Sequence, residues 1–442
     1  MTRSGGTEHG GREGAGRRPA SIGLDAPRLT RRSVLRSLGL GTGALAVSSL
    51  ASLVACEPDE PPVDRARPAP SASEPPVDWE AWWAEQEITG TLTFANWPYS
   101  IDRGRGGGHP SIDLFTTETG IEVDYQPTIQ GNAQFLDLIR PALEAGDPTG
   151  YDLIVITNGP ELAELIGSDW LTPLDHSHLP HVAQNAGPHV RDPIWDPGNR
   201  YSLAWQSGLT GIAYAPEAVE RLGREPTSIQ DLWNPELAGR VGMMSDPVEL
   251  GSAGLLAIGV DPTTSTVDDW RAAADRLRAQ QDAVEPRYYA QGYVDALSRG
   301  DTAISLAWSS DIFQLTHLGD SPLRFVVPDE GAMFWTDNLL IPRGAEHPLD
   351  ALTYMDFVYR TRVAAMIADW VWRICPVPAA RSIVARELDD PDVARSPLVF
   401  PRSGILGDGG DASGSRLRNY YVYADAADYA AWTSVFQPIV FS

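Results

Sequence analysis

In the stretch 329–342 (DEGAMFWTDNLLIP), Trp335 and Asp337 have the side-chain types and the spacing to hold a cation. Residues i and i+2 of a strand project from one face, so the indole and the carboxylate point into one space. Apolar residues on both sides, Val326 and Val327 before and Leu339, Leu340 and Ile341 after, mark the segment as buried. A buried carboxylate needs a partner, because an unpaired ion there costs several kcal/mol. An organic cation satisfies both groups: the ring face attracts it and the carboxylate neutralises it. The same two residues also fit a strand end with a core tryptophan and a turn-capping aspartate. A second acidic pair, Asp246 and Glu249, stands where the strand-like run 239–245 (GRVGMMS) enters a helix with Pro247 in its first turn. Asp246 suits an N-cap with Glu249 as its capping-box partner, and since only one oxygen caps, a ligand role remains open. Trp97 and Trp308 fall at the tips of predicted strands. Three tryptophans beside carboxylates outline a slot with flat apolar walls.

Elements of alternating type must position these groups. Residues 90–97 read as a strand, 111–119 as a helix stopped by Gly120, and 121–125 as a second strand. An amphipathic helix at 134–145 precedes an apolar strand at 151–156. Further on, 201–214 is strand-like, 227–233 a capped helix, and 303–308 a strand. This βαβα order predicts a mostly parallel sheet with helices on both faces. Ligands of such sheets meet the carboxyl ends of strands, where Trp97 and Asn158 fall. The Gly-rich loop at 103–110 lacks the Lys-Ser/Thr partner of a phosphate cradle and reads as an insertion.

The chain's 442 residues exceed what one hydrophobic core usually serves, so two lobes are expected. Its net charge is −25, with 59 acids against 34 basic residues, all of them arginine. Such a surface repels nucleic acid and anionic lipid and concentrates cations. Nucleic acid is therefore excluded as a partner.

Residues 1–55 read as a twin-arginine lipoprotein signal peptide: TRRSVLR at 30–36, an uncharged run from Ser37, and LVAC at 53–56 with Cys56 as the lipidated residue. An apolar transmembrane helix is the competing reading, against which the order of basic region, apolar run and small residues before a cysteine argues. The Gly39–Gly43 run belongs to this export segment. Removing residues 1–55, with eight arginines and three acids, moves the charge from −25 to −30. Residues 56–87 are assigned to the lipidated cysteine and a Pro-rich linker that holds a domain away from a membrane. Cys375 is the only other cysteine, which excludes a disulfide framework and a cysteine zinc site. The expected location is extracytoplasmic, lipid-anchored at the cell membrane.

The order of elements and these strand tips resembles the spermidine/putrescine-binding proteins of ABC transporters, within the bacterial extracellular solute-binding group. The resemblance spans about residues 90–381 and rests on FANW at 94–97, YDLIV at 151–155, DLWNPELAG at 231–239, Asp246-x-x-Glu249, AW at 307–308 and FWTD at 334–337 with Ile341 and Pro342. It implies an α/β, two-lobe periplasmic-binding-protein type II fold, each lobe a mixed sheet flanked by helices, with chain crossovers near Ser207 and Phe334. Lobe 1 is then 88–207 plus 335–381 and lobe 2 is 208–334 plus 382–442. By the same resemblance, Asp246, Glu249 and Asp337 grip ammonium groups, and Trp97, Trp308 and Trp335 wall the methylene chain. Tyr99, Asn158 and Tyr289 are further candidates. The chain departs from the family at Ser100, where an aromatic is usual, at Thr157-Asn158-Gly159, where Ser and Tyr are usual, and in a Gly/Asp/Ser insertion at 403–415. Asp408 and Asp411 in that insertion hint at calcium, but a solvated loop is the plainer reading.

The resemblance implies capture of a polyamine and its delivery to an ABC permease, by a monomer without cofactor or metal. No HExxH or GxSxG motif occurs. A carboxylate-dependent extracytoplasmic hydrolase using a pair such as Asp246 and Asp337 is the alternative of another class. The same fold binding another cationic solute or a metal chelate, through Tyr288 and Tyr289, is the nearer alternative.

Overall fold

Two long strands, β4 (Ser202–Tyr214) and β9 (Ala332–Leu340), are buried along their whole lengths and pair antiparallel from Ser202↔Leu340 to Thr210↔Met333. Such uninterrupted burial carries their polar residues, Gln206, Ser207, Thr210, Thr336, Asp337 and Asn338, into the interior as well. The computed structural model describes residues 77–441 except 105, 320, 403–404 and 406–414, all within one compact unit. The signal segment 1–55, Cys56 and most of the 403–415 insertion, Asp408 and Asp411 included, lie outside the described residues.

Each half of the β4–β9 ribbon seeds a mixed sheet. On one half, β3 (Ile154–Thr157) pairs antiparallel with β9. β1 (Thr91–Ala95) bridges to Leu153 and pairs in parallel with β2 (Glu122–Gln126). On the other half, β7 (Ile304–Trp308) is antiparallel to β4 and parallel to β5 (Val241–Met244), which pairs in parallel with β6 (Arg287–Tyr289). Short strands β8 (Arg324–Val326) and β10 (Leu417–Arg418) finish this sheet against β4 and β9. The result is an α/β two-lobe fold with a mixed sheet in each lobe. The antiparallel ribbon, rather than βαβ repetition alone, is its spine.

Two hydrophobic cores lie under these sheets. The chain passes from the first to the second within β4, between Leu209 and Ile212. In β9 Phe334 faces the first core while Met333 and Trp335 face the second. Two expected boundaries need correction. Val384, Val393, Ala394, Val399 and Phe400 pack in the first core, so 382–400 stays with lobe 1, and the return to lobe 2 comes with Tyr420, Tyr423 and Trp432. The periodicity of that stretch is too short to say which core it serves. The 56–87 linker also ends early. Asp78 caps a helix, Trp79–Ala84, and Trp83 is buried with its indole N–H donating to the Pro173 carbonyl at 2.9 Å. The predicted helix at 227–233 is a short 3₁₀ helix, Ile229–Trp233, capped by Ser228 and Asp231.

Candidate ligand-binding site

The acidic pair forms where β5 ends. Pro247, whose fixed φ suits a first helical position, opens the helix Pro247–Ala257. Asp246 is its N-cap, one oxygen accepting from the Val248 and Glu249 amides at 2.9 and 3.1 Å. Glu249 does not close a capping box. One oxygen of its buried carboxylate accepts from Thr210 Oγ1, Trp308 Nε1 and the Tyr420 hydroxyl, each at 2.9 Å. The other, Oε2, is buried without a partner among the described residues. Burial pushes the Glu249 carboxyl up to about 7, helped by the Asp246 charge and opposed by its three donors. Asp246 is open to solvent yet crowded by protein, as a group in a cleft is, and this crowding also raises its pKa against two backbone donors.

Glu161 adds a third carboxylate that the sequence reading missed. It lies in the first turn of the helix Pro160–Gly167, just beyond the tip of β3, on a helix whose Leu162 and Leu165 sit in the first core. Burial, then repulsion from Asp246, Glu164 and Asp137, pushes it up to about 7. An acid in the first helical turn after a strand tip was the available signal. The acidic pole thus draws on both lobes.

The other pole surrounds Asp337. The Trp335 indole lies across Gly208, where an added Cβ would fall 2.1 Å from its ring, so only glycine fits beneath it. Asp337 accepts from Thr157 Oγ1 at 2.8 Å and from Arg373 Nη1 at 2.9 Å. Burial raises the Asp337 pKa, while Arg373 and Thr157 oppose the rise. The same guanidinium stands 5.6 Å from the Trp335 ring centroid, and Nη1 also donates to Ser100 Oγ at 3.0 Å. Trp335 and Asp337 therefore do face one space and do hold an organic cation, but the cation is the chain's own Arg373. Its place is set by Ile374, whose backbone exchanges hydrogen bonds of 3.1 and 2.7 Å with Ser207.

Two further groups, Tyr293 and Asp311, connect Trp308 with the surroundings of Arg373. The Tyr293 hydroxyl accepts from the Trp308 amide at 3.1 Å and donates to Asp311. Burial raises the Asp311 pKa, and Arg373 is close enough to lower it. Of the remaining candidates, Trp97 is half-buried, its indole N–H unpartnered among the described residues, and its carbonyl accepts from the Ser100 amide at 3.4 Å. Tyr99 is 71% exposed and turned to solvent. Asn158 is a clamp on β9, its side chain accepting from the Thr336 amide at 2.7 Å and its own amide donating back at 2.9 Å. Tyr289 packs beside the second core, its carbonyl accepting from the Ser245 amide at 3.0 Å.

Two lobes sharing a strand pair, with charged and aromatic groups gathered where they meet, define a solute-binding protein. The chain belongs to the bacterial extracellular solute-binding proteins, whose family model matches residues 150–402, more than half of it. It is 27% identical over 326 residues to the spermidine/putrescine-binding periplasmic protein of Escherichia coli, covering 74% of this chain and 87% of that one. It is 26% identical over 338 residues to the putrescine-binding periplasmic protein of the same organism, covering 73% and 85%. The structure of the spermidine/putrescine ABC transporter substrate-binding protein of Streptococcus pneumoniae matches with a TM-score of 0.66 at 22% identity, covering 80% of this chain and 99% of that one.

Proposed function

We propose that the protein is the extracytoplasmic solute-binding component of an ABC transporter, capturing an amine of the polyamine class, spermidine or putrescine, between its lobes. The observation that carries this reading is the buried Glu249 oxygen beside Asp246 that has no partner among the described residues, with the Trp308 indole tied to the same carboxylate. A carboxylate oxygen without a donor in a buried site calls for a cationic one. A polyamine brings an ammonium group and an apolar rod that lies against indole faces, each such contact contributing roughly 0.5–2 kcal/mol. The relatives' names give independent support for this ligand class.

Capture proceeds by closure. Open lobes admit the amine, its ammonium meets Asp246 and Glu249, and approach of the lobe 1 helix bearing Glu161 removes water from it. The closed form docks a permease and reopening releases the solute, so two states are required. We assign export to the twin-arginine signal in residues 1–55 and anchoring to lipid on Cys56. The site acts by binding, with no catalytic step.

Isothermal titration of the purified protein with putrescine and spermidine, with betaine and a ferric chelate as controls, tests the reading. At least one amine is expected to bind with a dissociation constant in the micromolar range or below at low salt. Binding of betaine or the chelate alone rejects the amine assignment.

A further inference from the structure

Arg373 fills the partner's place beside Asp337, the carboxylate that the sequence offered to a ligand ammonium. Both Asp337 oxygens are engaged, one by Thr157 and one by Arg373, and Ser100 holds the same guanidinium nitrogen. Arg373 does not deprotonate in proteins, so no pH frees Asp337 by discharging it. The Ile374–Ser207 backbone pair fixes the residue beside the strand junction, and the Trp335 ring covers its guanidinium. A ligand ammonium brought to this end therefore finds both oxygens of Asp337 taken and meets guanidinium N–H groups, which offer it no acceptor.

The end is built for a different group. Among the described residues Arg373 donates only through Nη1, leaving Nη2 and Nε without a protein acceptor, and its side chain is 23% exposed. These nitrogens can donate to a ligand oxygen. A carboxylate oxygen is disfavoured, since Asp337 already neutralises the guanidinium and Asp311 lies within its electrostatic reach. An uncharged carbonyl fits. At the opposite pole the Glu249 oxygen that has no partner among the described residues stands with Asp246 as an unmet negative charge for one ammonium group.

We infer that the cleft grips its amine by one charged end: the preferred solute carries a single ammonium group for Asp246 and Glu249 and an uncharged hydrogen-bond acceptor for Arg373, the chemistry of a mono-N-acylated diamine. The inference rests on the reading of the cleft as an amine site. It makes Arg373 a specificity-determining residue.

Titration of the purified protein with putrescine and N-acetylputrescine at one ionic strength tests it. The wild-type protein is expected to bind N-acetylputrescine at least tenfold tighter than putrescine. Arg373→Lys, which keeps the charge, retains that order. The double variant Arg373→Met/Asp337→Asn, which leaves no buried charge unpaired, loses the preference. Equal or tighter binding of putrescine by the wild type overturns the inference while leaving the amine reading standing. Binding of neither amine, nor of spermidine, overturns both. The wild-type ratio alone decides the matter, whether or not a variant folds.

Discussion

Among the described residues Glu249 holds three donors on one carboxylate oxygen and none on the other, and burial pushes its carboxyl up from 4.5 to about 7. A rise of that size corresponds to about 3 kcal/mol in favour of the neutral form. Two pH effects of opposite sign follow. The folded protein binds a proton here more tightly than the unfolded chain, so this stabilisation is complete below about 4.5 and is lost as pH rises through about 7. Amine affinity runs the other way, because only the ionised carboxylate attracts an ammonium group. Affinity is therefore expected to rise from about pH 5 to about pH 8, over which an aliphatic amine stays protonated. Glu249→Gln should flatten that rise and weaken amine binding at the upper pH by roughly ten- to a hundredfold, the worth of a charge-assisted hydrogen bond. Its unfolding temperature at the upper pH should exceed that of the wild type. Calorimetry and titration at both pH values check the pair of effects, and a variant with unchanged pH dependence would assign the titration to Glu161.

The β4–β9 ribbon sets the geometry of the site. Between Ala204 and Gln206 the register shifts by one residue, so Trp205 is a bulge and Gln206 lies opposite Asp337. Beyond the bulge Ser207, Gly208 and Thr210 face Thr336, Trp335 and Met333. The Trp335 ring occupies the space over Gly208, and a methyl group there forces the indole out of place. Gly208→Ala is expected to lower stability by about 1–3 kcal/mol, the usual cost of overpacking. It should also weaken binding of a mono-N-acylated diamine, because Trp335 backs the Arg373 guanidinium. Thermal unfolding and titration of this variant separate the effects: lost stability with unchanged amine affinity would show that the indole has no part in the site.

Across the whole molecule, the two cores share one strand pair, so the closure proposed above would bend the ribbon or rotate one lobe about it. Cys375 takes no part in chemistry: it is buried, and burial pushes its thiol up to about 12. Cys56 is then the only cysteine open to modification under the lipoprotein assignment. Cys56→Ser is expected to release the protein from the membrane fraction into the soluble one with amine affinity intact. Retention of the variant in membranes, read by fractionation and immunoblotting, would assign the anchor to the uncharged run before Cys56.

The order of elements was legible because hydrophobic period and turn chemistry act locally. Capping of the helix at Pro247 by Asp246 follows from neighbouring residues, as does the common direction of Trp335 and Asp337 on one strand. The tertiary structure alone decided what those groups touch. Arg373 is 36 residues from Asp337 in the chain, and only the pairing of Ile374 with Ser207 brings it there. Glu161 became part of the acidic pole, and 382–400 part of the first core, in the same way. Local sequence determines which faces a side chain can occupy. Which charge fills the space between two faces depends on long-range packing, and here that packing supplied one of the site's cations from the protein itself.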